Sequence, residues 1–133
     1  VEENGVTYRI SKTFEFSAAH QLRGLPEAHP CSRLHGHNYT ARVEIEADNL
    51  DRHGFVVDYR ELAPFKAWVD ERLDHRYLND VSPFAGPNGD NPTAELLSQY
   101  LRGVVLATCP VPDGASVAVH VSETGKTWAV WLP

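Results

Sequence analysis

From Tyr8 to Ala18 polar and apolar residues alternate, with Phe14 and Phe16 on one side, which is the two-residue period of a half-buried strand; His20 stands at its end. The alternation returns from Tyr39 to Ala47, where Ala41, Val43 and Ile45 share one side and charged residues the other. A second strand, antiparallel to the first, is predicted, and its one-sided pattern implies a sheet covered on the apolar face alone. The period then changes. Asp58 and Glu61 have capping-box spacing, and Leu62, Phe65, Val69 and Leu73 recur at helical intervals, which predicts a helix from about Tyr59 to Leu73. Pro64 falls in its opening turns, where a missing amide donor costs little. Pro, Gly, Asn and Asp crowd the segment from Val81 to Pro92, the composition of a loop. A second helix begins near Thr93, carries Leu96, Leu97, Tyr100, Leu101, Val104 and Val105 on one face, and is stopped by Pro110 and Pro112. Strands from Ser116 to Ser122 and from Thr127 to Leu132 flank a Thr124-Gly125-Lys126 turn. The order ββααββ is that of an α+β fold with both helices on one face of the sheet.

Length and charge narrow the picture. A chain of 133 residues, 42% hydrophobic, has room for one core, so residues 1–133 are read as a single domain. No apolar run approaches the ~20 residues that span a bilayer, and the N-terminal stretch lacks the order of a secretory signal; a soluble, cytoplasmic protein with no membrane partner is expected. The net charge of −6 argues against a general nucleic-acid binder, because phosphate backbones are held by clustered Lys and Arg. Two cysteines, Cys31 and Cys109, are too few for a disulfide scaffold and are read as reduced thiols, the second of them as core filling.

The candidate chemistry lies among the histidines. His35 and His37 are two apart, so on an extended chain both rings leave the same face. If the strand ending at His20 pairs with the one after His37, three imidazoles converge, and three neutral nitrogens with an open fourth position are the mark of a catalytic zinc. Cys31 sits in a polar segment, where a thiol near a cation ionises and serves as base or nucleophile. Asp74 beside His75 can hold an imidazole tautomer, and Glu123 at a strand end can accept two parallel N–H bonds from a guanidine-like ligand edge. His29, His53 and His120 have no comparable context and are read as structural or solvent-exposed.

These residues lie in stretches that resemble the family of 6-pyruvoyl-tetrahydropterin and 6-carboxytetrahydropterin synthases. The matching pieces are Phe16 to His20, Cys31 to Tyr39 (Cys-Ser-Arg-Leu-His-Gly-His-Asn-Tyr), Gly54 to Tyr59, Leu73 to Asn79 (Leu-Asp-His-Arg-Tyr-Leu-Asn), Asn91 to Glu95 and Val121 to Thr124, in family order over nearly the whole chain. The resemblance implies the tunnelling fold: a four-stranded antiparallel sheet with two helices between its second and third strands, assembled as a homohexamer, a dimer of trimers with active sites between subunits. It implies zinc held by His20, His35 and His37, a catalytic Cys31, an Asp74–His75 proton-transfer dyad, and Glu123 as anchor of the pterin's amino-pyrimidine edge. Thr93 is a further candidate substrate contact, and Arg33 and Arg23 are the candidates for holding a triphosphate. The implied substrate is 7,8-dihydroneopterin triphosphate. Only Ser32, Arg33 and Leu34 separate Cys31 from His35, a spacing like that of the carboxy-forming branch of the queuosine and deazapurine route. The expected reaction is therefore lyase formation of 6-carboxytetrahydropterin with loss of acetaldehyde and triphosphate. The alternatives are a pyruvoyl-forming synthase, a pterin-binding protein without turnover, and a zinc hydrolase. His29-Pro30 before the cysteine departs from the family pattern.

Overall fold

The structure, a computed structural model, describes residues 7–133. Strand β1 (Tyr8–His20) pairs antiparallel with β2 (His35–Ala47) along its full length, Tyr8 opposite Ala47 and His20 opposite His35. A 3-10 turn (Tyr59–Leu62) leads into α1 (Ala63–Arg72), followed by the short strand β3 (Arg76–Tyr77), α2 (Ala94–Thr108), β4 (Ser116–Ser122) and β5 (Ala129–Val130). The sheet runs in the order β3-β1-β2-β4-β5. No helix among the described residues is long and apolar enough to cross a membrane.

The order of the predicted elements holds, with three corrections. The sheet has five strands and is mixed, because β3 runs parallel to β1 with Arg76 beside Ala18. Two residues are too few to show a period, and β3 exists because His75, at φ 60°, turns the chain and donates its amide to the Ser17 carbonyl at 2.6 Å. The final strand shrinks to Ala129–Val130. The predicted helix over 59–73 likewise divides into the 3-10 turn and α1, with Pro64 in the first turn of α1.

One face of the sheet makes the core. Phe14, Phe16, Ala41, Val43, Ile45, Val119 and Val121 are buried against Phe65 and Val69 of α1 and Leu97 and Leu101 of α2. Each fully buried side chain of this kind contributes about 1.5–3 kcal/mol. Phe14 meets Phe65 edge-on at 5.1 Å, and Phe16 stacks on Tyr39 at 4.9 Å. The buried Ser98 hydroxyl donates to the Val119 carbonyl at 2.6 Å and accepts from the Trp131 amide at 2.8 Å, which locks α2 to β4 and to the chain end.

Beyond His20 the chain leaves the sheet but is not left loose. The Asn79 side-chain amide accepts from the Gln21 amide and donates to the Gln21 carbonyl, at 2.9 and 2.8 Å. Asn91 does the same for Arg23, at 2.7 and 2.9 Å. Two side chains thus replace the backbone of a missing neighbour strand. The Arg23 guanidinium in turn donates to the carbonyls of Phe84, Gly89 and Asp90, at 2.5, 3.1 and 2.9 Å, and ties the loop over 81–92 to this segment. Arg23→Ala is expected to lower stability by about 1–3 kcal/mol, with Arg23→Lys recovering only part, because a point ammonium cannot reach three carbonyls. The thermal midpoint checks this.

Candidate metal centre

The phase of the alternation decides where the histidines go. His20 continues the inward face of Phe14, Phe16 and Ala18, and His35 and His37 continue that of Tyr39 and Ala41. The β1–β2 register sets His20 opposite His35 and Ala18 opposite His37. Glu123, two residues after the buried Val121, extends the same face of β4. The four side chains therefore meet at one end of the core.

One ring nitrogen from each of His20, His35 and His37 lies within 4.8 Å of the others. The second nitrogens of two rings are committed. His20 Nδ1 donates to the Pro92 carbonyl at 2.8 Å, with the Tyr39 hydroxyl 3.1 Å away, and His35 Nδ1 donates to the Arg33 carbonyl at 2.7 Å. A proton fixed on Nδ1 leaves the Nε2 lone pair facing the cluster, the tautomer a metal requires. The two Nε2 atoms stand 2.9 Å apart. Two lone pairs that close repel unless a cation lies between them, so the donor set fits a zinc ion held by three imidazoles.

Electrostatics agree with neutral rings. Burial, opposed by the Glu123 carboxylate, lowers the pKa of both His20 and His37. Burial also raises that of the Tyr39 hydroxyl, which stays protonated. A pH consequence follows for the metal-free protein. The unfolded chain takes up protons near the ordinary histidine pKa of about 6.5, whereas the folded chain resists until lower pH, so stability declines as pH falls below about 6.5. Urea midpoints at pH 8 and pH 5.5 measure this, and His37→Gln should flatten the decline.

The remaining site residues divide into those near the cluster and those apart from it. Cys31 lies half-buried in a 3-10 turn (Pro30–Ser32) capped by His29, whose Nδ1 accepts the Cys31 amide at 3.1 Å. The Cys31 carbonyl accepts from the Leu22 amide at 2.9 Å, which tethers the turn two residues past His20. The His29-Pro30 departure thus has a structural role: the histidine caps and the proline opens the turn that carries the thiol. Thr93 caps α2, its hydroxyl accepting from the Leu96 amide at 3.2 Å, beside the carbonyl that orients His20. Arg33 is exposed. Arg23 commits three of its five N–H donors to the loop carbonyls, which fixes its guanidinium on that loop.

Asp74 and His75 do form a dyad, Oδ2 to Nδ1 at 3.0 Å. The Ser17 amide donates to Asp74 at 2.9 Å and, with His75, holds its carboxyl below the usual range. The His75 side chain is 82% exposed and makes no hydrogen bond or ion pair with the three-histidine cluster. It lines an open groove of about 500 Å³ with Ser17, Ala19, Asn38 and Arg76, reached also by His37. The dyad and one ring of the histidine cluster thus border the same groove without a hydrogen bond or ion pair between them. Sequence reasoning missed the carbonyls of Pro92 and Arg33, which carry no side-chain signal, and the Asn79 and Asn91 clamps, whose partners are backbone atoms.

A tunnelling-fold α+β domain with a three-histidine cluster where its sheet meets a loop is the class these observations define. Residues 9–132 match the sequence model of the 6-pyruvoyl tetrahydropterin synthase family, and the chain belongs to that family of enzymes. A Bacillus subtilis relative named 6-carboxy-5,6,7,8-tetrahydropterin synthase is 32% identical over 96% of this chain and 86% of its own. A Synechocystis protein of the same name is 36% identical over 69% and 70%. The solved structure of Caenorhabditis elegans 6-pyruvoyl tetrahydropterin synthase superposes with a TM-score of 0.80 at 26% identity, covering 96% of both chains.

Proposed function

We propose that the chain is a zinc-dependent lyase that converts 7,8-dihydroneopterin triphosphate and water to 6-carboxytetrahydropterin, acetaldehyde and triphosphate. The observation that carries this reading is the convergence of three imidazole nitrogens, two of whose rings, His20 and His35, have their tautomer pre-set by carbonyls. The names of the bacterial relatives and the three-residue gap between Cys31 and His35 favour the carboxy-forming reaction.

His20, His35 and His37 hold the zinc, which when bound polarises substrate oxygens and acidifies the adjoining carbon. Cys31, as thiolate, removes a proton from the side chain of the bound pterin. His75, oriented by Asp74, carries a proton to or from the ring. Glu123 accepts the N–H pair of the amino-pyrimidine edge, Thr93 adds a contact at the start of α2, and Arg33, exposed beside the cluster, meets the triphosphate. His75 is 82% exposed and makes no hydrogen bond or ion pair with its own chain's histidine rings, which suits a homohexamer, a dimer of trimers, in which each complete site draws the dyad from a neighbour. The physiological setting of such a product is queuosine or deazapurine synthesis in the cytoplasm.

The deciding experiment incubates zinc-loaded protein with 7,8-dihydroneopterin triphosphate and assays acetaldehyde, triphosphate and the pterin product. Acetaldehyde in step with triphosphate is expected. Triphosphate release with a 6-pyruvoyl product and no acetaldehyde would move the chain to the pyruvoyl-forming reaction, the second reading, which the Caenorhabditis elegans superposition favours. Tight pterin binding without turnover would leave a binding protein.

A further inference from the structure

Hydrogen bonds hold the backbone of Cys31 on both sides of its Cα. Its carbonyl accepts from the Leu22 amide at 2.9 Å, and its amide donates to Nδ1 of His29 at 3.1 Å. With the peptide units before and after it both tethered, the Cα–Cβ bond of Cys31 has a set direction, and only rotation about χ1 is left to the sulfur. The Leu22 tether joins backbone to backbone, so the ring of His29 is the side-chain half of the pair. That ring stands on a fixed base. The His29 amide donates to the Pro26 carbonyl at 2.8 Å, and the His29 carbonyl accepts from the Ser32 amide at 3.0 Å and the Ser32 hydroxyl at 2.7 Å. Its extended backbone, φ −70° and ψ 129°, is that of a cap, and Pro30 after it has no N–H to compete for the imidazole nitrogen. A further bond, from the Gln21 side-chain amide to the Ser32 carbonyl at 2.8 Å, ties the same turn to the residue after His20.

We infer that His29 is a positioning residue for Cys31: its ring nitrogen, by holding the Cys31 amide, fixes the direction of the thiol, and proton removal by Cys31 depends on that acceptor. The inference rests on the reading of Cys31 as the base above and adds to it a residue that acts on the thiol only through the backbone. The Cys31 amide needs a lone pair two bonds from Cβ of residue 29. Asparagine Oδ1 offers one there, and leucine does not. A loosened turn moves two properties of the thiol in opposite directions. Turnover needs one orientation and falls, whereas a small alkylating reagent needs only access to a half-buried residue and reacts faster. A loss of thiolate character would instead lower both.

The test compares the zinc-loaded wild type with His29→Leu, His29→Asn and Cys31→Ala. Turnover of 7,8-dihydroneopterin triphosphate gives kcat and KM, and iodoacetamide labelling read by peptide mass gives the rate at Cys31, with the buried Cys109 as the control for intact packing. His29→Leu should lower kcat about tenfold, the scale of a lost cap, with KM and zinc content unchanged. Labelling of Cys31 should be several-fold faster in that variant while Cys109 stays protected. His29→Asn should bring both kcat and labelling back to within about twofold of the wild type, because its side chain caps as well. Wild-type kcat and labelling in His29→Leu would overturn the inference, as would equal losses in the leucine and asparagine variants or a joint fall of kcat and labelling. Should Cys31→Ala turn over at the wild-type rate, or the wild type not at all, the reading of Cys31 as the base would fall, while the labelling contrast between leucine and asparagine would still decide the role of His29.

Discussion

Zinc affinity should fall by on the order of 10²–10³-fold when His35 is replaced by alanine, and acetaldehyde production with it. Structural zinc sites bind with roughly 10–16 kcal/mol, so one of four ligands carries about 3–4 kcal/mol. His35 is the informative choice because it is the more exposed partner of the 2.9 Å Nε2 pair, and its ring is held by the Arg33 carbonyl alone. His20 is 1% exposed within the core, and its loss would mix metal release with a packing defect. Removing the His35 ring also relieves the clash of lone pairs, so the metal-free variant should unfold no earlier than the metal-free wild type. Chelator competition and thermal melts of both forms measure the two halves of this expectation, and a variant that stays active with full zinc would sink the metal assignment.

The second large effect concerns assembly. Cys31→Ala and His75→Ala should each lower kcat by about 10²–10⁴-fold, the usual worth of a proton-transfer group, with zinc content unchanged. Unfolding the two inactive proteins together and refolding them should then recover about a quarter of wild-type activity. A site that takes its thiol from one subunit and its imidazole from another is intact in about one interface in four of a random mixture. No recovery would mean that both groups act within one chain.

How far the sequence could be read depended on whether a feature lies in side-chain pattern or in backbone geometry. The two long strands were legible because Phe14, Phe16, Val43 and Ile45 alternate without interruption, and the same phase carries the rings of His20, His35 and His37 inward. The second helix was legible from its apolar face. What escaped was set by backbone partners. The strand Arg76–Tyr77 depends on the turn at His75, and the clamps of Asn79 and Asn91 look like ordinary loop residues until their amides are seen paired with Gln21 and Arg23. Arg23 was proposed for phosphate because it is a cation near the motif, yet charge gives no sign of how many carbonyls a fold will turn toward it. The proximity of Glu123 to the cluster was hidden for a related reason, since strand adjacency joins residues that are more than eighty positions apart in the chain.

Once a metal is bound at His20, the hydrogen bond from that ring to the Pro92 carbonyl would make loop and metal two arms of one thermodynamic cycle. Residues 81–92 must be seated for that carbonyl to orient the ring, and an ion that favours the oriented ring must by the same amount favour the seated loop. Reciprocity leaves no freedom here: whatever free energy the folded loop lends to ion capture, the captured ion returns as resistance of the loop to opening. A bound ion would thus make the loop that is richest in turn residues as firm as its occupancy allows, and local order in residues 81–92 would report metal supply.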